Sequence, residues 1–163
     1  MIFLQKKPFV TLEQLEKIAD QFPTPFHLYD EKGIRENARR VLSAFAWNKG
    51  YKEYFAVKAT PNPFILRILR EEGFGADCSS YTELLLAKAV GFRGHEIMFS
   101  SNVTPREDYA LAAELGAVIN FDDIGHIDFF EKIAPFPDTI CCRYNPGGEF
   151  AINNFIMDTP QEA

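Results

Sequence analysis

The sequence predicts an α/β protein built on a parallel sheet, and three observations lead there. Short apolar runs recur at 54–57, 75–78, 96–99, 117–121 and 139–143, with starts about 21 residues apart. Helix-length stretches fill the gaps, at 63–72, 80–90, 105–115 and 123–133. Gly73, Gly91 and Gly116 stand where those helices should stop, since glycine readily takes the left-handed turn that ends a helix. Strands alternating with helices at this spacing cannot be joined by hairpins, so the strands run parallel. Leucine-rich repeats have a similar period, but their asparagine-and-leucine consensus is absent.

The elements follow in order. Thr11-Leu12-Glu13-Gln14 is a capping box that opens a short amphipathic helix with Leu12, Leu15 and Ile18 on one side. Phe22-Pro23-Thr24-Pro25 ends it. Residues 26–30 alternate apolar and polar and predict a half-buried strand. Residues 31–46 predict a helix, with Ile34, Ala38, Val41, Leu42 and Phe45 at helical spacing. Residues 1–50 therefore form a helix–strand–helix lead-in, and 51–163 hold five βα units. Three helix starts in the second part are chemically marked: Asn62-Pro63, the capping box Ser80–Glu83, and Thr104–Glu107 with Pro105 at the first helical position.

A fourth start signal, Thr159-Pro160-Gln161-Glu162, stands just before the last residue, Ala163. A start signal with no helix after it reads as a cut. A (β/α)8 barrel needs eight units and about 250 residues. The expectation is therefore about five-eighths of such a barrel, rather than an open five-stranded sheet. Unpaired edges on a piece of this kind predict an oligomer.

Bulk composition excludes several classes. With 163 residues, 47% hydrophobic, the chain can make one domain with a real core. A net charge of −6 and no basic stripe argue against nucleic acid as a partner. No apolar run approaches a membrane span, and Met1–Lys7 is too short for a signal peptide. Cys78, Cys141 and Cys142 are odd in number and suit reduced thiols in a cytoplasmic protein. Adjacent strand residues face opposite ways, so one of Cys141 and Cys142 points inward, and core packing is the favoured role of both. His27, His95 and His126 lack partners at metal-ligand spacing, so no metal is predicted.

The chemistry centres on Tyr54-Phe55-Ala56-Val57-Lys58. An apolar strand delivers one amine to its carboxyl end, just before a helix start, where barrel enzymes place reactive groups. Lys58 is read as a Schiff-base lysine. Phe55 and Val57 would give it an apolar setting and Arg143 a nearby positive charge, both of which favour the neutral amine. The bland alternative is a snorkelling lysine. Asp77 ends the second strand; it orients Lys58 or Arg143, or else merely complements the positive helix terminus, and both readings stay open. Arg143 ends the fifth strand and, if buried, needs a partner such as Asp77. Glu83 reads as the closing member of its capping box.

Three segments resemble a known family. They are Phe55-Ala56-Val57-Lys58-Ala59, then Ala76–Leu84 with its Asp-x-x-Ser-x-x-Glu-Leu pattern nineteen residues after Lys58, and Arg143-Tyr144-Asn145-Pro146-Gly147. Together they resemble the fold-type III pyridoxal-phosphate decarboxylases of diaminopimelate, ornithine and arginine. Arg143-Tyr144-Asn145-Pro146 is most similar to the diaminopimelate branch. The resemblance implies an alanine racemase-like barrel that binds pyridoxal 5'-phosphate, a separate β-domain, and a homodimer acting on a small amino acid. It implies that Lys58 holds the cofactor covalently and that Asp77 and Arg143 line the site near it. The stacking histidine, the phosphate loop and the β-domain Cys and Tyr match nothing within this sequence, and Gly147-Gly148 follows the wrong strand to be that loop. The piece alone is expected to be inactive. A non-catalytic cofactor carrier on the same barrel is the alternative; alanine racemases share the strand-lysine motif but not Thr60-Pro61-Asn62-Pro63.

Overall fold

Helix boundaries in the computed structural model, which describes residues 7–144, follow largely from capping chemistry. Helix α1 (Leu12–Ala19) starts at Thr11 with both halves of the capping box formed. Helix α2 covers Glu31–Ala44. Helix α3 (Pro63–Glu71) has Pro63 in its first turn, and the Asn62 side chain accepts the Phe64 N–H. Helix α4 (Tyr81–Val90) is capped by Ser80, whose hydroxyl accepts the Glu83 N–H. The three predicted stop glycines, Gly73, Gly91 and Gly116, have φ of 98°, 104° and 69°. The remaining helices are α5 (Arg106–Glu114) and α6 (Gly125–Glu131).

Five strands alternate with these helices: β1 (Tyr54–Ala56), β2 (Gly75–Cys78), β3 (Ile97–Ser100), β4 (Val118–Phe121) and β5 (Ile140–Cys142). They form one sheet in the order β1-β2-β3-β4-β5, and every pairing is parallel. Sequential order is that of a barrel wall, whereas a doubly wound sheet reverses its order part-way. The described residues are thus a segment of a (β/α) barrel.

Alternation along each strand sorts residues onto two faces. Ala76, Cys78, Ile97, Phe99, Ile119 and Phe121 are buried on the outer face, under the helices. Tyr109 of α5 sits within this layer, its ring centroid 5.3–6.0 Å from those of Phe99, Phe121 and Phe130. A smaller cluster of Ala38, Ile65, Leu69 and Phe74 joins α2 to α3. Arg35 and Arg39 reinforce that joint through Glu72, at 3.0 and 2.7 Å, and hold its carboxyl below the usual range.

Four expectations are corrected. Residues 26–30 form no strand: the segment joins no ladder, Leu28 and Tyr29 are exposed, and Asp30 takes an extended conformation ahead of α2. The lead-in of 1–50 is therefore helix–extended segment–helix where it is described. Strand β1 stops at Ala56, because Val57–Ala59 tightens into a 3-10 turn closed by the Thr60 N–H on the Val57 carbonyl at 3.1 Å. The Thr104–Glu107 box does not form; Pro105 is the N-cap, and the Thr104 hydroxyl donates to the Ser101 carbonyl instead. Neither Cys141 nor Cys142 belongs to the core of the described residues: on β5, the last strand of the described sheet, Cys141 is half-buried and Cys142 exposed. Asn145–Gly148 and the start signal at 159–162 lie outside the described residues.

Candidate active site at the carboxyl ends of the strands

The inner face carries the other alternating set. Ala56, Asp77 and Met98 stand side by side in register, and Ser100, Asn120 and Cys141 do the same one step further along. At the amino end this face is closed by Tyr54, whose ring lies across Gly75 and whose hydroxyl donates to the His95 carbonyl at 2.7 Å. A Cβ on Gly75 would come within 2.5 Å of that ring, so the position admits no side chain. At the carboxyl end the face opens among Lys58, Asp77, Ser100, Asp122 and Arg143.

Lys58 lies in the turn just beyond β1, exposed, with its amine in no hydrogen bond or ion pair among the described residues. Its expected apolar sleeve is not built. Val57 belongs to the outer core and Phe55 packs against both clusters, so both face the helices. Asp77 is half-buried on the inner face, and its Oδ1 is buried without a partner. Burial pushes its carboxyl above the usual range; Lys58 and Arg143 pull it back down, and Glu83 pushes it up. The charges of Lys58 and Arg143 therefore both reach Asp77. Cys78, the next residue along β2, faces the outer core, where burial drives its thiol up to about 12.

Arg143 differs from expectation in both burial and partner. It is exposed and binds not Asp77 but Asp122, with Nη1 2.7 Å from Oδ1. Its Nη2 donates to Ser100 Oγ at 3.0 Å, and Asn120 Nδ2 donates to the same oxygen at 2.9 Å. Ser100, Asn120 and Asp122 were not singled out from the sequence. The signal was present: Asp122, just past β4, is two residues on from Asn120, and Ser100 is Asn120's register partner. Also missed was the Tyr109 hydroxyl against His126 Nδ1, at 2.9 Å, tying α5 to α6 behind the mouth. Glu83 behaves as a cap with one change: its carboxylate takes the N–H of Ser79 at 2.9 Å rather than that of Ser80. Among the described residues no group of three His, Cys, Asp or Glu is arranged to hold a metal ion.

A parallel βα-barrel wall with an unpaired amine and a partnerless buried carboxylate oxygen toward its strand ends has the groups of one class, the barrels that can hold an aldehyde-bearing ligand there. The residues fit pyridoxal phosphate in that sense: an accessible amine for the aldehyde, and a carboxylate beside it with unused hydrogen-bonding capacity. Comparison with known proteins narrows the class to a family. Residues 31–162 match the sequence model of the pyridoxal-dependent decarboxylases, pyridoxal binding domain, and the chain belongs to that family. It is similar to protein TabA of Pseudomonas amygdali pv. tabaci, 43% identical over 147 residues, covering 90% of this chain and 34% of the relative. It is 34% identical to diaminopimelate decarboxylase of Methanothermobacter thermautotrophicus over 131 residues, covering 80% and 31%. Among solved structures, diaminopimelate decarboxylase from M. jannaschii in co-complex with L-lysine superposes with a TM-score of 0.66 at 30% identity, covering 72% of this chain and 28% of the other. The chain spans about a third of the length of the curated relatives it matches.

Proposed function

We propose that this chain is the lysine-bearing portion of a pyridoxal-phosphate-dependent amino-acid decarboxylase, and that the substrate is meso-diaminopimelate, converted to L-lysine and carbon dioxide. The carrying observation is the unpaired Lys58 amine at the strand ends, within electrostatic reach of a carboxylate whose Oδ1 is buried and partnerless. Relatives named diaminopimelate decarboxylase, at 30–36% identity, support the substrate.

Lys58 is the residue that holds the cofactor's aldehyde end. Bound pyridoxal phosphate supplies the electron sink for the pair left at Cα when carbon dioxide departs. Asp77, on β2 and within reach of the Lys58 charge, has a free Oδ1 to accept and hold a proton from Nζ. Arg143 offers the guanidinium N–H groups not used by Asp122 and Ser100 to an anionic part of the ligand. At the far end of the inner face the Tyr54 ring packs on Gly75 and leaves no room for a side chain there. A β-domain and a homodimer in the cytoplasm complete the reading.

One observation favours a second substrate. Identity to TabA, 43%, exceeds the 34% to the Methanothermobacter enzyme, so another amino acid of related shape is the alternative. The test is carbon dioxide release by the complete gene product with pyridoxal phosphate, from meso-diaminopimelate and, separately, from lysine, ornithine and arginine. Preference for diaminopimelate by tenfold or more, lost in Lys58→Ala, supports the reading; equal or absent turnover of diaminopimelate contradicts the substrate.

A further inference from the structure

Two carboxylates lie within reach of the Arg143 charge, Asp77 and Asp122, and Arg143 is bound to the second. Asp122 Oδ1 takes Nη1 at 2.7 Å, with the Asp122 side chain 22% exposed. Ser100 Oγ takes Nη2 at 3.0 Å. The same oxygen accepts from Asn120 Nδ2 at 2.9 Å, so both lone pairs of Ser100 are spent and its rotamer is fixed. The guanidinium is thereby held at two points by side chains from β3 and from the residue just past β4. A third anchor acts through the backbone, where the Arg143 N–H donates to the Phe121 carbonyl at 2.8 Å. Across the inner face, Asp77 Oδ1 is buried and has no partner. An unpaired buried carboxylate oxygen and a guanidinium within range of its charge would ordinarily close on each other.

We propose that Asp122, seconded by Ser100, is a positioning residue of this site that holds Arg143 away from Asp77 and so keeps the Asp77 carboxylate free for Lys58. The value of that arrangement to catalysis rests on the function proposed above; the arrangement itself does not. Charge reaches Asp77 from Lys58 in the turn after β1, from Glu83 on α4 and from Arg143 after β5. Asp122 is tied to this group through its ion pair with Arg143, and the Arg143→Ala background separates that route from any direct effect of its charge. Removing the Asp122 charge releases the guanidinium, and Asp77 Oδ1 is the acceptor left for it. A new Arg–Asp contact lowers a carboxyl midpoint by about 1–3 units.

The test is a carbon-13 NMR titration of the aspartate carboxyls in the full chain, without cofactor, for wild type, Asp122→Asn, Arg143→Ala and the double variant. Asp77 is assigned with Asp77→Asn. Asp122→Asn is expected to lower the Asp77 midpoint by at least about 1 unit, and the drop should vanish when Arg143 is already alanine. Ser100→Ala should produce a smaller drop of the same sign. An unchanged midpoint in both Asp122→Asn and Ser100→Ala would overturn the proposal. So would an equal drop in the presence and absence of Arg143. This readout needs no pyridoxal phosphate, so a failure to capture the cofactor at Lys58 would retire the functional reading and leave this result standing.

Discussion

The two faces of the sheet use the same strands for opposite purposes. Facing the helices, Cys78, Phe99, Ile119 and Phe121 are closed off from water and locked around Tyr109. One residue away in each strand, Asp77, Ser100 and Asn120 turn polar groups toward the open side, and the hydrogen bonds there connect side chains rather than seal a core. Period-two alternation thus separates stability from chemistry within a few ångströms of sequence. A substitution on the outer face should cost folding energy and spare ligand capture; one on the inner face should do the reverse.

The largest expected effect lies outside. Phe121→Ala removes a ring that contacts both Tyr109 and Phe130, with centroids 5.9 and 5.5 Å away. It should lower stability by about 3–5 kcal/mol in urea unfolding. A loss under 1 kcal/mol would mean that the aromatic layer is not the core. Next comes Asp108, buried on α5, whose Oδ2 accepts the Tyr81 N–H at 3.0 Å across the interface with α4. Asp108→Ala should cost about 1–2 kcal/mol, because a helix-start N–H loses its acceptor. Asp108→Asn, which keeps an acceptor oxygen, should recover most of it.

The smallest effect on stability, and the sharpest contrast, is expected inside at Asp77. Its folded-state carboxyl is raised by burial above the ordinary 3.8. Between the unfolded and folded midpoints the native state holds more protons, so wild-type stability falls as pH rises through the window just above 3.8. Asp77→Asn removes that dependence. The variant should be at least as stable as wild type at neutral pH while capturing pyridoxal phosphate more weakly. Thermal unfolding at pH 3 to 7 reads the first part and cofactor titration the second; a variant destabilised at neutral pH would place Asp77 with the structural set.

Much of this division was legible in the chain. The 21-residue spacing foretold five parallel strands, since helix plus strand plus two turns leaves little freedom in length. Cap chemistry foretold the starts of α1, α3 and α4, because a side chain acting on its own backbone needs no tertiary information. What failed depended on neighbours. The alternation at 26–30 is a strand pattern, yet a strand requires an edge to pair with, and the sequence does not say whether one lies alongside. Arg143 was matched to Asp77 because both end strands. The nearer partner, Asp122, is visible once register is known, since Asn120 pairs with Cys141 and the residues two further on meet at the mouth. Lys58 was legible as the amine at the end of the first strand motif, but not its exposure, which the 3-10 turn after Ala56 creates.

Capture of the cofactor at one amine bears most directly on the whole account. The chain is incubated with pyridoxal 5'-phosphate, reduced with borohydride, digested, and its lysine adducts located by mass spectrometry. The account predicts one dominant adduct, on Lys58, that disappears in Lys58→Ala. Adducts spread over surface lysines with residue 58 unmodified would contradict it.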